Sequence, residues 1–536
     1  MPAAPATPEI SNVGDALESL VHQFADPWAF LRELVQNAID AGTEQLEVRI
    51  DHDEARGTMI IEVADSGEGM TREIIDTRLT RLFSSSKEGD YTKIGRFGIG
   101  FVSVFALDPE IVCVDTGRAG EWWRVVFRRD RSFERIRLNN PVEGTTVRLY
   151  KPASADEVEQ ARIKARETLE HWCKHAKIEL RCDGEPISRP LDLEGLCKVE
   201  HREEGTTLVM ALVGEPLALR GYYHGGLTLH EEHDDALPHV AFKIDSRFLE
   251  HTLTRDNVIR DDNYAKAMAI VGKVARTRLV AAMFEALEQR ARAGEGSSPD
   301  RDLLYRTVTA QFGKGEPDPS WSTRAVIPML GGPACSLVEL RERPRASKLF
   351  RALEPSPVVE RLRGEGHRVI ACGEKDCVDD LLGAALRERP LPVASLCTAV
   401  PLAAPEDPSD WAPLLAALAA LLANKWKVSE LAVGHLAYPG SPVADHVAIS
   451  QARVGELTAI ADVGQLASGW LASGRALVLN ADHPILIDLH RVAAREPELA
   501  AYLTLKSFFL QGELSPALDA EISNLAVEAR WRRMAS

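Results

Sequence analysis

The sequence predicts a multidomain α+β protein that opens with a two-layer α/β sandwich and ends in a mostly helical domain. Three observations lead there. An apolar stripe of helical period over residues 30–42 precedes alternating, β-branched runs at 46–63 and 111–150, the pattern of helices on one face of a mostly antiparallel sheet. Strands resume from Lys177, and strands and helices alternate again from Ala325 to Val400. Beyond a Pro- and acid-rich hinge, PLAAPEDPSD at 401–410, apolar helical stripes dominate. A chain of 536 residues has room for roughly three or four domains.

Bulk properties narrow the function. Hydrophobic residues make up 45% of the chain, enough for sizeable cores. A formal net charge of −17 argues against a nucleic-acid partner, which needs a basic footprint on the protein. The eight cysteines are scattered without CxxC pairs, which predicts reduced thiols and a cytoplasmic location, not a zinc site or a disulfide framework. Residues 1–10 lack a charged n-region and an apolar h-region, so no signal peptide is expected. No run of 18 apolar residues occurs, so no membrane span is expected.

The chain organises around FLRELVQNAIDAG, Phe30 to Gly42. Asp26 can cap this helix, Pro27 suits its first position and Gly42 stops it. Phe30, Leu31, Leu34, Val35, Ala38 and Ile39 form the apolar stripe. Glu33, Asn37 and Asp40 fall at i, i+4 and i+7 and share the opposite face, which in a lone helix would read as a solvated surface. DALESLVHQFA, just upstream, reads as an amphipathic helix. Two glycine-rich segments follow. DSGEGM, Asp65 to Met70, comes directly after the strand-like run TMIIEVA, so an acid at a strand end enters a tight turn where backbone can approach a ligand. IGRFGIGFVSVFAL, Ile94 to Leu107, places Gly95, Gly98 and Gly100 ahead of an apolar helical run, where free N–H groups can face an anion. Each segment alone is a weak signal; the order of all three is specific.

Together they resemble the N box and the two glycine boxes of the GHKL ATPases, and GRFGIGF together with LRELVQNAIDA resembles the Hsp90 family within that superfamily. No GxxxxGK[ST] stretch is present. The resemblance implies a Bergerat-type N-terminal domain that binds ATP and Mg²⁺. It implies Glu33 as the general base for the attacking water and Asn37 as the protein ligand of Mg²⁺. It implies Asp65 as acceptor from the adenine amino group, with Gly69 and Met70 in the base pocket. Gly98, Ile99, Gly100 and Phe101 match the loop over the phosphates, and Thr145 in EGTTVRLY matches a threonine near the adenine. Asp40 stands as either a supporting or a surface residue. The polar stretch from Thr71 to Lys93 corresponds to the lid, shorter than the family's, with six residues between Lys87 and Ile94.

Further along, IVCVDT, WWRVVFRR, FERIRL and TTVRLY read as strands that complete the sandwich, and Ala155 to His175 as a helix leaving that domain. FKIDSRFLEHTLTRDNV, Phe242 to Val258, resembles the catalytic loop of the Hsp90 middle domain. Asp245, Ser246, Leu249, Thr254 and Arg255 fall at matching spacing, which implies that Arg255 reaches the ATP γ-phosphate. The family's glutamine shortly after this arginine corresponds to Ile259. Tyr264 to Ala293 reads as a long helix ending at the polar break AGEGSSPDRD. The expected domains are an ATP-binding domain at 1–153, a middle domain at 154–400 (catalytic-loop part 154–295, small α/β part 296–400) and a C-terminal dimerisation domain at 408–536. The resemblance implies a C2 homodimer through the last helices and client proteins as partners. The expectation is an ATP-hydrolysing Hsp90-like chaperone clamp. Two rival classes share the motifs: a GHKL scaffold that holds nucleotide with little turnover, and a MORC- or MutL-like machine, which the acidic charge opposes.

Overall fold

The computed structural model describes residues 26–80, 99–130, 132–250, 252, 257–312, 319–404, 406–423, 425–466, 473–512 and 514–535. The expected helix at 15–25, residues 81–93 of the stretch that corresponds to the lid, and residues 94–98 of the second glycine-rich segment lie outside these. The chain divides into two compact units, Met1–Ala282 and Met283–Ser536.

The first unit is built on helix α1 (Phe30–Asp40). A short 3₁₀ turn, Pro27–Ala29, leads into it, and the Asp26 carboxylate accepts from Trp28 N at 2.9 Å. The apolar stripe behaves as the periodicity predicts: Phe30, Leu31, Leu34, Val35 and Ala38 are buried in the sandwich core. An eight-stranded sheet lies beneath. Its strands are β1 (Gln45–Asp53), β2 (Thr58–Asp65), β3 (Ile111–Arg118), β4 (Glu121–Arg128), β5 (Phe133–Arg137), β6 (Thr145–Pro152), β7 (Glu179–Cys182) and β8 (Glu185–Pro186). Their order is β5-β4-β3-β6-β2-β1-β7-β8, antiparallel throughout except for the parallel β1–β7 pair.

One expectation is corrected here. Helix α2 (Ala155–Trp172) does not leave the sandwich. Val158, Ala161, Ala165 and Leu169 are buried in the same core as α1, and β7 adds to the sheet edge beside β1. The packed layer therefore continues past residue 153. A capping box, Ser154 with Glu157, starts α2.

A five-stranded sheet follows in the same unit: β9 (Leu196–Glu203), β10 (Thr206–Leu212), β11 (Ala218–His224), β12 (Leu227–Asp234) and β13 (Val240–Ser246), in the order β12-β11-β13-β10-β9. The second unit holds a three-stranded parallel sheet (Leu349–Ala352, Arg368–Ala371, Leu391–Pro392) with helix Pro357–Gly364, the helix–turn–strand read from PSPVVERLRGEGHRVIACG. Its C-terminal part sets helices Ala412–Leu422, Pro484–Ala493, Pro497–Leu510 and Pro516–Ala535 with a four-stranded sheet, around a core that includes Leu414, Leu418, Leu477, Leu505 and Phe508. Among the described residues, no helix is long and apolar enough to cross a membrane.

Candidate functional site

The site grows from the exposed end of α1 and the strand ends beside it. Register places Asp65 at the end of β2 opposite Thr145 of β6, and Thr145 opposite Thr116 of β3. These three residues form a row across the sheet end. Thr116 Oγ1 and Thr145 Oγ1 lie 3.0 Å apart, and Thr116 Oγ1 accepts from Met70 N at 2.9 Å. The buried Thr116 hydroxyl thus ties the loop carrying Gly69 and Met70 to the sheet. This residue was not singled out from the sequence, because a threonine in IVCVDT looks like ordinary β-branched strand filling.

The DSGEGM loop is fixed at both ends. Gly67 N donates to Asp65 Oδ1 at 2.8 Å, and Glu68 N donates to the carbonyl of Ala41 at the end of α1, at 3.0 Å. Gly69 sits at φ +66 with its backbone against Gly117 and Gly144, and a β-carbon there would meet Gly117 O at 2.2 Å. Only glycine satisfies both the left-handed conformation and the close approach. Burial raises the Asp65 carboxyl above its ordinary value, opposed by hydrogen bonds from the backbone of Gly67 and Thr145. A carboxyl held at a sheet end between two such donors is a directional acceptor.

Glu33, near the start of α1, is buried, only 4% exposed. It meets the third motif directly. Gly100, in the short helix Ile99–Val102, packs so closely that a β-carbon at 100 would stand 2.6 Å from Glu33 Oε2. Phe101 is buried in the sandwich core and packs its ring 5.4 Å from that of Phe127, while Ser103 Oγ donates to Gly100 O at 2.5 Å. Asn37, one turn beyond Glu33, is exposed, and Asp40 is exposed with its carboxyl raised by burial, an effect His224 opposes. The structure therefore brings Glu33, Asn37, Asp65, Gly69, Met70, Gly100, Phe101 and Thr145 into one region around α1. Gly98 and Arg255 lie outside the described residues, as does the side chain of Ile99. The ends of the Arg255 segment are pinned: Thr252 N donates to Asn257 O at 2.9 Å and Ile259 N to Glu250 O at 2.8 Å.

The donor set suits a nucleotide and a lightly held cation. No group of three or more His, Cys, Asp or Glu side chains able to hold a metal occurs among the described residues. Asn37 offers one hard oxygen, which fits a cation that takes most of its ligands from water and phosphate.

Comparison with known proteins agrees with this geometry. Residues 26–143 match the family of histidine kinase-, DNA gyrase B- and HSP90-like ATPases. The chain is 30% identical over 264 residues to chaperone protein HtpG of Methylococcus capsulatus, covering 43% of this chain and 39% of that protein. It is 28% identical over 219 residues to HtpG of Idiomarina loihiensis (34% of this chain, 33% of that protein) and 31% identical over 211 residues to HtpG of Methylobacterium nodulans (33% and 34%). The chain thus spans between a third and two fifths of the length of these curated relatives.

Proposed function

We propose that the chain is an Hsp90-like member of the GHKL ATPases that hydrolyses ATP to drive a dimeric chaperone clamp. The observation that carries the reading is the packing of Glu33 against Gly100, which joins the first motif to the third at one point. In this reading Asp65 accepts from the adenine amino group, and Thr116 and Thr145 brace the loop of Gly69 and Met70 around the base. Glu33 takes the proton from the water that attacks the γ-phosphorus, and ADP and phosphate leave. Mg²⁺, held by Asn37, would neutralise charge on the phosphate oxygens. Gly98 to Phe101 close over the phosphates. Arg255, from the middle domain, supplies the cation for the transferring phosphoryl group, so that the site is complete only when the domains dock, and nucleotide state becomes shape.

Homodimerisation is supported by the last helix. Val527, Trp531 and Met534 are 52%, 71% and 68% exposed and recur at i, i+4 and i+7, an apolar stripe that a second copy would cover by twofold symmetry. The clients are proteins, the location is cytoplasmic, and no nucleic acid or membrane is engaged. An ATP-binding domain, a middle domain and a dimerisation domain from residue 408 divide the work, with the first continuing to the end of the eight-stranded sheet near 186.

The test is ATP turnover of the wild type beside Glu33→Ala, with nucleotide binding measured in both. Turnover falls about a hundredfold or more while affinity changes only a few-fold, as loss of a general base requires. Unchanged turnover in the variant overturns the assignment. Binding without turnover in the wild type favours the scaffold reading, to which the exposed Ile259, standing in place of the family's glutamine, lends support.

A further inference from the structure

A second cleft, of about 820 Å³, lies within the first unit between the segment that follows α2 and the five-stranded sheet. Its roof is His175–Lys177 and Ser188–Asp192; its floor is one face of β9, β10 and β13. Register explains the wall. Arg202, Thr207 and Asp245 form one cross-strand row, and Glu200, Val209 and Lys243 form the next. Lys198 continues the β9 face two residues further on.

The electrostatics of this cleft run against those of the chain. The protein carries −17 overall, yet cations outnumber carboxylates here. Lys177 pairs with the buried Asp245 at 2.8 Å, Lys198 with Asp192 at 2.9 Å and Arg202 with Glu200 at 2.5 Å. Two further cations belong to this region, Arg189 in the lining and Lys243 on β13 beside it. Arg189 lines it, but reaches back to Glu170 on α2 at 3.3 Å. Lys243 donates from beneath to His175 Nε2 at 3.0 Å, and His175 Nδ1 lies 3.1 Å from the carbonyl of Arg189. These contacts require a neutral His175 that donates through Nδ1 and accepts through Nε2. Burial first, then the neighbouring Lys174, holds the Lys243 ammonium below its usual value, and burial also lowers the His175 imidazole. Glu231, the nearby carboxylate, is engaged by Lys174 at 2.8 Å and by Tyr223, whose ring packs edge-on against His175. Glu231 and Asp192 act on the Lys243 ammonium in the opposite sense, but its hydrogen bond is to a neutral imidazole, and an anion in the cleft would stabilise the charge further.

We propose that this cleft binds a compact multivalent anion, a phosphorylated or polycarboxylate small molecule, held at the mouth by Lys198 and Arg202 and from beneath by Lys243. The side chains of Lys198 and Arg202 stand on the edge strand, half or more exposed, free to turn from their carboxylate partners onto a ligand.

The test is calorimetric titration of the full chain with pyrophosphate and, separately, with citrate, both in saturating ADP so that the α1 site is filled. Saturable binding by either probe is expected, pyrophosphate marking a phosphoryl ligand and citrate a carboxylate one. In the double variant Lys198→Gln/Arg202→Gln binding weakens about tenfold or more, since two charge-assisted hydrogen bonds are lost. The variant's melting temperature and ADP affinity stay at wild-type values, which separates site loss from misfolding. Absence of saturable binding in ADP, or wild-type affinity in the double variant, overturns the proposal.

Discussion

Gly100 and Glu33 are packed so tightly that a β-carbon on the first would stand 2.6 Å from Oε2 of the second. The glycine does not serve a left-handed turn, since its φ is not positive; it serves proximity. The helix that carries Glu33 and the loop proposed to close over phosphate are thereby in register. Gly100→Ala would push the end of a buried but flexible carboxylate and not a rigid backbone atom. Turnover is expected to fall about tenfold or more as the base is displaced, with the melting temperature shifted by only a few degrees. Steady-state hydrolysis beside a thermal melt checks both. Full turnover in Gly100→Ala would show that Glu33 can be displaced without cost and is not the base.

Asp65 gives a second prediction, with an opposite sign for binding and stability. Its carboxyl is raised in the fold chiefly by burial. A raised acid favours the folded state below its unfolded value, near 4, and loses that contribution as pH rises through the folded value. Above that window the buried charge costs stability. Asp65→Asn is therefore expected to melt at or slightly above the wild-type temperature at pH 7, with the difference shrinking as pH falls toward 4. Nucleotide affinity should drop about a hundredfold or more, because the amide presents a donor as well as an acceptor to the base. A variant that melts lower at pH 7 yet binds normally contradicts both halves.

Much of this site is legible in the sequence, for identifiable reasons. Helix α1 shows itself because its apolar stripe and glycine stop agree, and they agree in the structure, while Asp26 caps the 3₁₀ turn Pro27–Ala29 that leads into α1 and not α1 itself. The Asp65 turn shows itself because its glycines are backbone requirements. Thr116 does not, since its role depends on β3 and β6 being neighbours, a pairing of strands about 30 residues apart that no local pattern encodes. Gly144 is similar: a β-carbon there would lie 1.9 Å from Asp65 O, a constraint visible only once the strands are aligned. Helix α2 misleads because its buried positions, Val158, Ala161, Ala165 and Leu169, include small residues whose stripe fits either neighbouring layer. What decides is the parallel pairing of β7 with β1, between residues more than 130 positions apart.

The segment 401–410 carries the last prediction. His435 lies between two carboxylates, with Nδ1 2.8 Å from Asp482 Oδ1 and Nε2 2.7 Å from Glu406 Oε2. Both ring nitrogens must donate, so the imidazolium is the form that makes both bonds. Asp482 foremost, then Glu406, raises its ionisation above the usual 6.5. A raised base stabilises the fold fully below its unfolded value and loses that contribution as pH rises through the folded value. Glu406 belongs to that segment, so the bond that weakens with rising pH is the one tying it to the strand Val428–His435. Proteolysis within 401–410 is expected to accelerate several-fold as pH rises above 6.5 toward 8. His435→Gln should show the fast rate at every pH, since a neutral amide cannot hold both carboxylates. Salt slows neither rate but narrows the difference between them, because the three side chains are partly exposed and their attraction is screened. A cleavage rate that is flat with pH in the wild type would remove His435 as the tie.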